Sequence, residues 1–344
     1  MEKKYNSKFA VLRKIKKPLI LMNLKIPNPG NNQLLVKINY SYICGTQLNE
    51  INGNKGFDKF IPHTLGHEAS AEVLKFGKKV NNFKIGDKVI LSWIKTNKKD
   101  SQNIFFRDKK NKIVNSGQVS TFSKLSLVSK NRVYKAPKKI PMDLVALFGC
   151  AIPTGFGIVF KYLNKINKND HVAIYGVGGV GIMSIIALRL IGIKNIHAID
   201  KNKKNLKIAK SFGCKKIYSL NEFNYQMKKT GNFIKYNIEA SGSKLMMEMA
   251  VKNLSTQGSC VLAGNIKRGF KIKIDPYDLI FGKKIYGFSG NDVSLEKNLK
   301  KYAQLLKKVN FNKLRKIFKV YKFKNINKAI DDFKNGKILR PLIK

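Results

Sequence analysis

The run Tyr175-Gly176-Val177-Gly178-Gly179-Val180-Gly181 constrains this chain more than any other stretch. It lies between His171 to Tyr175, short and apolar enough to read as a buried strand, and Gly179 to Ile191, which reads as a helix. In a G-x-G-x-x-G run so placed, Gly176 permits a tight turn and Gly178 lets the backbone approach a pyrophosphate. Gly181 lets helix and strand pack closely, and the helix N-terminus then faces the anion. Asp200 closes a second apolar strand, Ile196 to Ile199, 19 residues after Gly181. That is near the spacing of about 20 at which an acid accepts hydrogen bonds from a ribose. The expectation is a dinucleotide site made by Gly176, Gly178, Gly179, Val180, Gly181 and Asp200; a glycine turn beside a solvated aspartate is the plainer alternative. A carboxylate at 200 repels the extra phosphate of NADP and favours NAD, although Lys201, Lys203 and Lys204 soften that repulsion.

Around this motif the strand and helix signals alternate. Asn202 to Phe212 is amphipathic, Asn237 to Ala240 and Ser259 to Ala263 read as strands, and Ser243 to Leu254 between them reads as a helix. Alternation of this kind implies a doubly wound parallel sheet, an α/β fold, over residues 153–288. Residues 1–152 are β-rich instead, with apolar runs at Gln33 to Tyr42, Ala71 to Phe76 and Lys88 to Trp93 separated by Pro29-Gly30, Asn81-Asn82 and Gly86-Asp87. Residues 289–344 are mixed, with helices expected at Leu295 to Val309 and Asn325 to Asn335 and a strand at Ile317 to Tyr321; they are grouped with the first segment.

The chain of 344 residues is 43% hydrophobic, enough for two cored domains. Its formal charge of +48 suggests an anionic partner, but only seven of its 68 basic residues are arginine and the lysines are spread through every segment. Nucleic-acid readers concentrate arginine and stacking aromatics on one face. The charge is therefore read as generic surface, with no nucleic-acid partner expected. No apolar stretch reaches membrane-spanning length and the start has no signal-peptide core, so no membrane partner and a cytoplasmic location are the expectations.

Cys44, Cys150, Cys214 and Cys260 lie far apart, so any metal site must be assembled by folding. Cys44 with His67 and Cys150 would make a soft and borderline ligand set suited to zinc. Taken singly, each cysteine reads equally well as a small buried hydrophobe and His67 as a histidine packed in a turn.

The segments "CGT" at 44, "GHE" at 66, "GDKV" at 86, "GC-x-x-PTG-x-G" at 149 and "GVGGVG" at 176, in that order, resemble the zinc-dependent alcohol dehydrogenases of the medium-chain dehydrogenase/reductase superfamily. The resemblance covers nearly the whole chain. It implies a Rossmann domain joined to a β-rich GroES-like catalytic domain, and hydride transfer between NAD and a small-molecule alcohol or carbonyl compound. It further implies one catalytic zinc on Cys44, His67 and Cys150, with Glu68 as a nearby carboxylate that can tune or bind the metal. By the same likeness Thr46 is the hydroxyl that takes the substrate's proton, Trp93 a substrate-pocket aromatic, Thr154 a nicotinamide contact and Arg340 a contact near the pyrophosphate. Lys284 to Phe288 resembles a dimerising edge, so a homodimer or homotetramer is expected.

Three departures stand out. Residues 94–117 hold no cysteine where the family's structural zinc is bound, so no structural zinc is expected. Gln47 replaces the acid that supports the zinc-bound histidine; its amide can still accept a hydrogen bond but brings no charge. Asn49 replaces the histidine that ends the proton relay, which leaves water or the cofactor ribose to carry the proton out. A protein that binds NAD without turning over is the competing class.

Overall fold

The computed structural model describes residues 5–96, 98–231 and 233–344; the first four residues of the β-rich segment lie outside that set. The chain forms two compact units, one comprising the residues up to Cys150 together with Ser294–Lys344, the other Ala151–Val293. The second unit begins with the helix Ala151–Tyr162, because Gly155 packs directly on the helix Gly179–Leu190. A Cβ at Gly155 would lie 2.8 Å from the Val180 carbonyl oxygen, and the Ser184 hydroxyl donates to the Gly155 carbonyl at 3.2 Å. Pro153 sits in the first turn of Ala151–Tyr162, where its missing N–H costs no helical bond.

Among the described residues, the second unit holds one parallel sheet of six strands. Their order is Lys216–Tyr218, Ile196–Ile199, Val172–Tyr175, Ile234–Glu239, Leu254–Leu262 and Lys284–Gly287. Val172–Tyr175 is buried at every position, as a strand covered on both faces must be, and order reverses beside it. Between Ile196–Ile199 and Ile234–Glu239 the chain adds a strand and a helix that the apolar pattern alone did not announce, Lys216–Tyr218 and Leu220–Thr230. Their signal is a capping box: Ser219 accepts from the Glu222 N–H, and Glu222 accepts from the Ser219 N–H.

The first unit contains a closed barrel and a larger sheet. The barrel runs Tyr5–Leu12, Ile20–Ile26, Phe105–Arg107, Ile113–Asn115 and His63–Thr64 before closing on its first strand. The sheet runs Val133–Lys135, Lys88–Ser92, Glu68–Phe76, Gln33–Tyr42, Arg340–Ile343 and Phe318–Tyr321, with Leu125–Ser129 also on Gln33–Tyr42. The last strand of the chain thus pairs with an early one, Leu342 opposite Tyr42 and Ile343 opposite Ser41. Pairing Glu68 with Ser92, and Ser41 with Ala69, draws the C-terminal end of Gln33–Tyr42, the start of Glu68–Phe76 and the end of Lys88–Ser92 to one place.

Candidate functional site

That place carries the sequence-predicted ligands. Cys44 follows the strand Gln33–Tyr42 and is the N-cap of the helix Gly45–Ile51. His67 immediately precedes Glu68–Phe76. Cys150 arrives from the tight turn Ala146–Gly149, which packs against the same strands: a Cβ at Gly149 would lie 2.4 Å from the Leu91 carbonyl oxygen and 2.9 Å from the Glu68 Cα, so only glycine permits this approach. The Ser92 hydroxyl fixes it by donating to the Gly149 carbonyl at 2.6 Å.

One ligand atom from each of Cys44, His67 and Cys150 lies within 4.8 Å of the other two, and among the described residues this is the one such group. A tetrahedral zinc with two sulfur ligands and one nitrogen would hold those atoms roughly 3.5–3.8 Å apart, a spacing within that limit. His67 Nε2 is buried and has no hydrogen-bond partner, which suits it to be a ligand nitrogen. The Cys44 thiol is held well below its ordinary range, first by a hydrogen bond with Cys150, which outweighs the effect of burial, and then by His67. That bond and burial push Cys150 up in turn. Burial presses the His67 imidazole down, but the neighbouring Cys44 sulfur outweighs it and the net direction is upward. Two cysteine sulfurs and an imidazole with an open nitrogen fit zinc well.

The surroundings of this triad are specific. Cys44 Sγ donates to Thr46 Oγ1 at 3.7 Å, which places the expected proton acceptor beside a ligand. Gln47 is buried, and its Oε1 accepts from the Cys44 backbone N–H at 2.9 Å while its Nε2 lies 2.5 Å from His67 Nδ1. Asn49 Oδ1 accepts from the Asn54 side chain at 3.0 Å. The Trp93 ring meets the His67 imidazole edge-on, with centroids 6.3 Å apart, and its indole N–H is buried without a partner.

Glu68 is fully buried and bound to Arg340, itself 2% exposed, through an Oε2 to Nη2 contact of 2.5 Å. Burial raises the Glu68 carboxyl, with Arg340 working against it. The guanidinium also lies over the Tyr42 ring at 4.7 Å. Arg340, expected near a pyrophosphate, is thus built first as the counter-ion of Glu68. Its Nη1 remains buried and unpartnered.

The stretch after Trp93 is held by a polar network that sequence reasoning missed. Asp100 takes a two-pronged contact from Arg132, at 3.0 and 2.9 Å, and a third hydrogen bond from Asn131 at 2.8 Å. Arg132 also donates to the Trp93 carbonyl, and the Tyr134 hydroxyl donates to that of Ile94 at 2.8 Å. No local motif signals these pairings, which join residues 31 to 40 positions apart.

The glycine run occupies the turn from Val172–Tyr175 into Gly179–Leu190. Gly176 has φ +89°, and a Cβ there would meet the Ser241 N at 2.6 Å. A Cβ at Gly181 would sit 2.0 Å from the Gly176 carbonyl oxygen, whereas one at Gly178 would meet nothing within 4 Å. Gly178 caps the helix Gly179–Leu190, and Gly179 and Val180 form its first turn, so backbone N–H groups face that open space. Asp200 accepts from the Val177 N–H with Oδ2 and from the Asn202 N–H with Oδ1, each at 2.7 Å, which fixes the carboxylate beside the glycine turn. Thr154 is buried on the helix Ala151–Tyr162.

Two family models match the chain in turn. Residues 30–138 match the family described as alcohol dehydrogenase GroES-like domain, and residues 179–308 match zinc-binding dehydrogenase. The S-(hydroxymethyl)glutathione dehydrogenase of Saccharomyces cerevisiae is 27% identical over 372 aligned positions, covering 97% of this chain and 95% of the relative. Alcohol dehydrogenase-like 2 of Arabidopsis thaliana is 26% identical, covering 98% and 95%. Among solved structures, benzyl alcohol dehydrogenase from Acinetobacter calcoaceticus superposes with a TM-score of 0.87 at 25% identity, covering 99% of each chain. The alcohol dehydrogenase zinc-binding domain protein from Burkholderia ambifaria shares the fold, with a TM-score of 0.89 at 23% identity and 99% coverage of each.

Proposed function

Because this chain belongs to the zinc-dependent alcohol dehydrogenases of the medium-chain dehydrogenase/reductase superfamily, and is an oxidoreductase of alcohols or their carbonyl products, we propose that it exchanges hydride with NAD and holds one zinc on Cys44, His67 and Cys150. The observation that carries the metal assignment is the convergence of those three ligand atoms around an unpartnered, buried His67 Nε2. Zinc bound there supplies Lewis acidity toward an alcohol or carbonyl oxygen.

The chain's own residues do the rest. Thr46 Oγ1, adjacent to Cys44, accepts the alcohol proton and passes it outward. Asn49 cannot carry a proton at neutral pH, so we assign the exit to water or to the ribose of the cofactor. Trp93 forms an apolar wall beside His67. The pair of Glu68 and Arg340 keeps a carboxylate next to His67 with its charge compensated, and the spare Nη1 of Arg340 is the donor we assign to a nucleotide phosphate. Gly178 to Gly181 receive the pyrophosphate, Thr154 contacts the nicotinamide, and Asp200 binds the adenosine ribose, which favours NAD over NADP.

We assign no structural zinc, since residues 94–117 contain no cysteine and the Asp100 network holds the segment that follows Trp93. Association into a homodimer, or a homotetramer built from it, is supported by the edge strand Lys284–Gly287, beside which Tyr277, Ile280 and Phe281 are exposed. The cytoplasm is the compartment we propose, where thiolate ligands stay reduced.

Elemental analysis of purified protein, paired with NADH formation across a panel of alcohols, tests the reading. One zinc per chain with turnover, both lost in Cys44→Ser, is the expected result. Metal-free protein that binds NAD without turnover would refute it.

A further inference from the structure

We infer that Gln47 weakens this chain's hold on zinc, because its amide presents one end to the Cys44 N–H and the other to His67 Nδ1, so that its oxygen lies against only one of two N–H groups that both need an acceptor once His67 ligates a metal. The inference rests on the assignment of Cys44, His67 and Cys150 as the ligands. Gln47 Oε1 is occupied by the Cys44 backbone N–H at 2.9 Å, and the face presented to His67 Nδ1, 2.5 Å away, is the NH2 group. An amide nitrogen donates and does not accept. With the amide so turned, Nδ1 must be the acceptor, and a neutral imidazole then carries its proton on Nε2. Nε2 is also the free, buried nitrogen that faces the cysteines and must be bare to bind zinc.

Ligation therefore moves the imidazole proton to Nδ1 and sets an N–H against an NH2. Rotating the amide half a turn gives His67 an acceptor but places the NH2 against the Cys44 N–H, which opens the cap of the helix Gly45–Ile51. Gln47 is only 1% exposed, so bulk water does not serve the donor left over. Both orientations leave one donor unmet. A carboxylate of the same length has an oxygen for each N–H, and partners of a ligating histidine typically alter metal affinity by roughly 10–100-fold. Gln47 is a positioning residue whose amide turns toward His67 when zinc enters and releases the Cys44 N–H.

The test uses the full chain, stripped of metal and titrated with zinc against a chromophoric competitor, as wild type and as Gln47→Glu. The variant should bind zinc at least about tenfold more tightly. In the wild type, hydrogen exchange at the Cys44 amide should be faster with zinc than without it, a change that a merely structural Gln47 would not produce and that decides the matter if the variant does not fold. Equal or weaker affinity in a folded variant, or a Cys44 amide at least as protected with zinc as without, overturns the inference alone. Failure of both proteins to take up zinc overturns the ligand assignment as well.

Discussion

Gly178 and Gly181 stand three residues apart in one turn, yet the structure assigns opposite consequences to the same added methyl. At Gly178 a Cβ meets nothing within 4 Å, and φ of −85° is ordinary for any residue. Gly178→Ala should therefore fold normally. The slightly poorer helix cap and the stiffer unfolded chain oppose each other and leave stability within about 1 kcal/mol of wild type. The methyl would instead fill the space in front of the first-turn N–H groups, so NADH affinity should fall by at least about tenfold, or about 1.4 kcal/mol. At Gly181 the Cβ lies 2.0 Å from the Gly176 carbonyl oxygen, a backbone atom that cannot swing aside. Gly181→Ala must push the helix Gly179–Leu190 off the sheet and should cost about 1–3 kcal/mol of stability. Urea denaturation together with NADH fluorescence titration separates the two. A Gly178→Ala protein that binds NADH like wild type would refute the reading of that space as the pyrophosphate seat, and a Gly181→Ala protein of unchanged stability would refute the packing argument.

Further outcomes follow from other parts of the molecule. Burial, then His171, then Lys215 and Lys216, press the His197 imidazole down to about 4. The unfolded chain thus takes up a proton below its ordinary value of about 6.5 that the folded chain refuses, and stability is lost as pH falls from there toward 4. Wild type should lose about 2 kcal/mol more than His197→Phe between roughly pH 7 and pH 5, read by urea denaturation at each pH; parallel losses would dismiss the effect. Arg340→Met strands the buried Glu68 carboxylate and should cost about 3–5 kcal/mol, most of it recovered when Glu68→Gln is added; a double variant no more stable than the single one would show that the pair is not coupled. Asp100→Asn removes the charge that holds Arg132 and should loosen the chain at Trp93, raising KM for alcohols several-fold with a smaller change in kcat. Equal losses in KM and kcat would place Arg132 outside substrate positioning.

What was legible in the sequence had a short reach along the chain. The turn from strand to helix, with the roles of Gly176, Gly178 and Gly181, is written within seven residues, and its geometry follows from local sterics. Three of the six α-helices among the described residues of the second unit, Gly179–Leu190, Lys203–Ser211 and Lys244–Lys252, were equally visible, because apolar residues recur along them. Leu220–Thr230 was overlooked although the Ser219 and Glu222 box announces its start and Phe223 and Met227, four residues apart, form its buried face. The helix Ala151–Tyr162 was masked by Pro153, Gly155 and Gly157, which lower helix propensity but are accommodated by the first turn and by close packing on neighbouring elements.

The support around the metal ligands was illegible for a different reason. Cys44, His67 and Cys150 can be picked out because few residue types bind zinc, so chemistry narrows the choice even when the chain separation is large. An ion pair such as Glu68 with Arg340, 272 residues apart, has no such filter, because the chain offers 68 basic residues for each acid to choose from. Only the antiparallel register of the final strand against Gln33–Tyr42 selects Arg340. The same holds for Asp100 and Arg132. Gln47 is the instructive middle case: its residue type was visible, but the oxygen expected to accept from His67 is taken instead by the Cys44 N–H of the helix cap. Whether a polar side chain supports a ligand depends on what else it must satisfy, and that demand is set by backbone N–H groups, which every sequence contains and none displays.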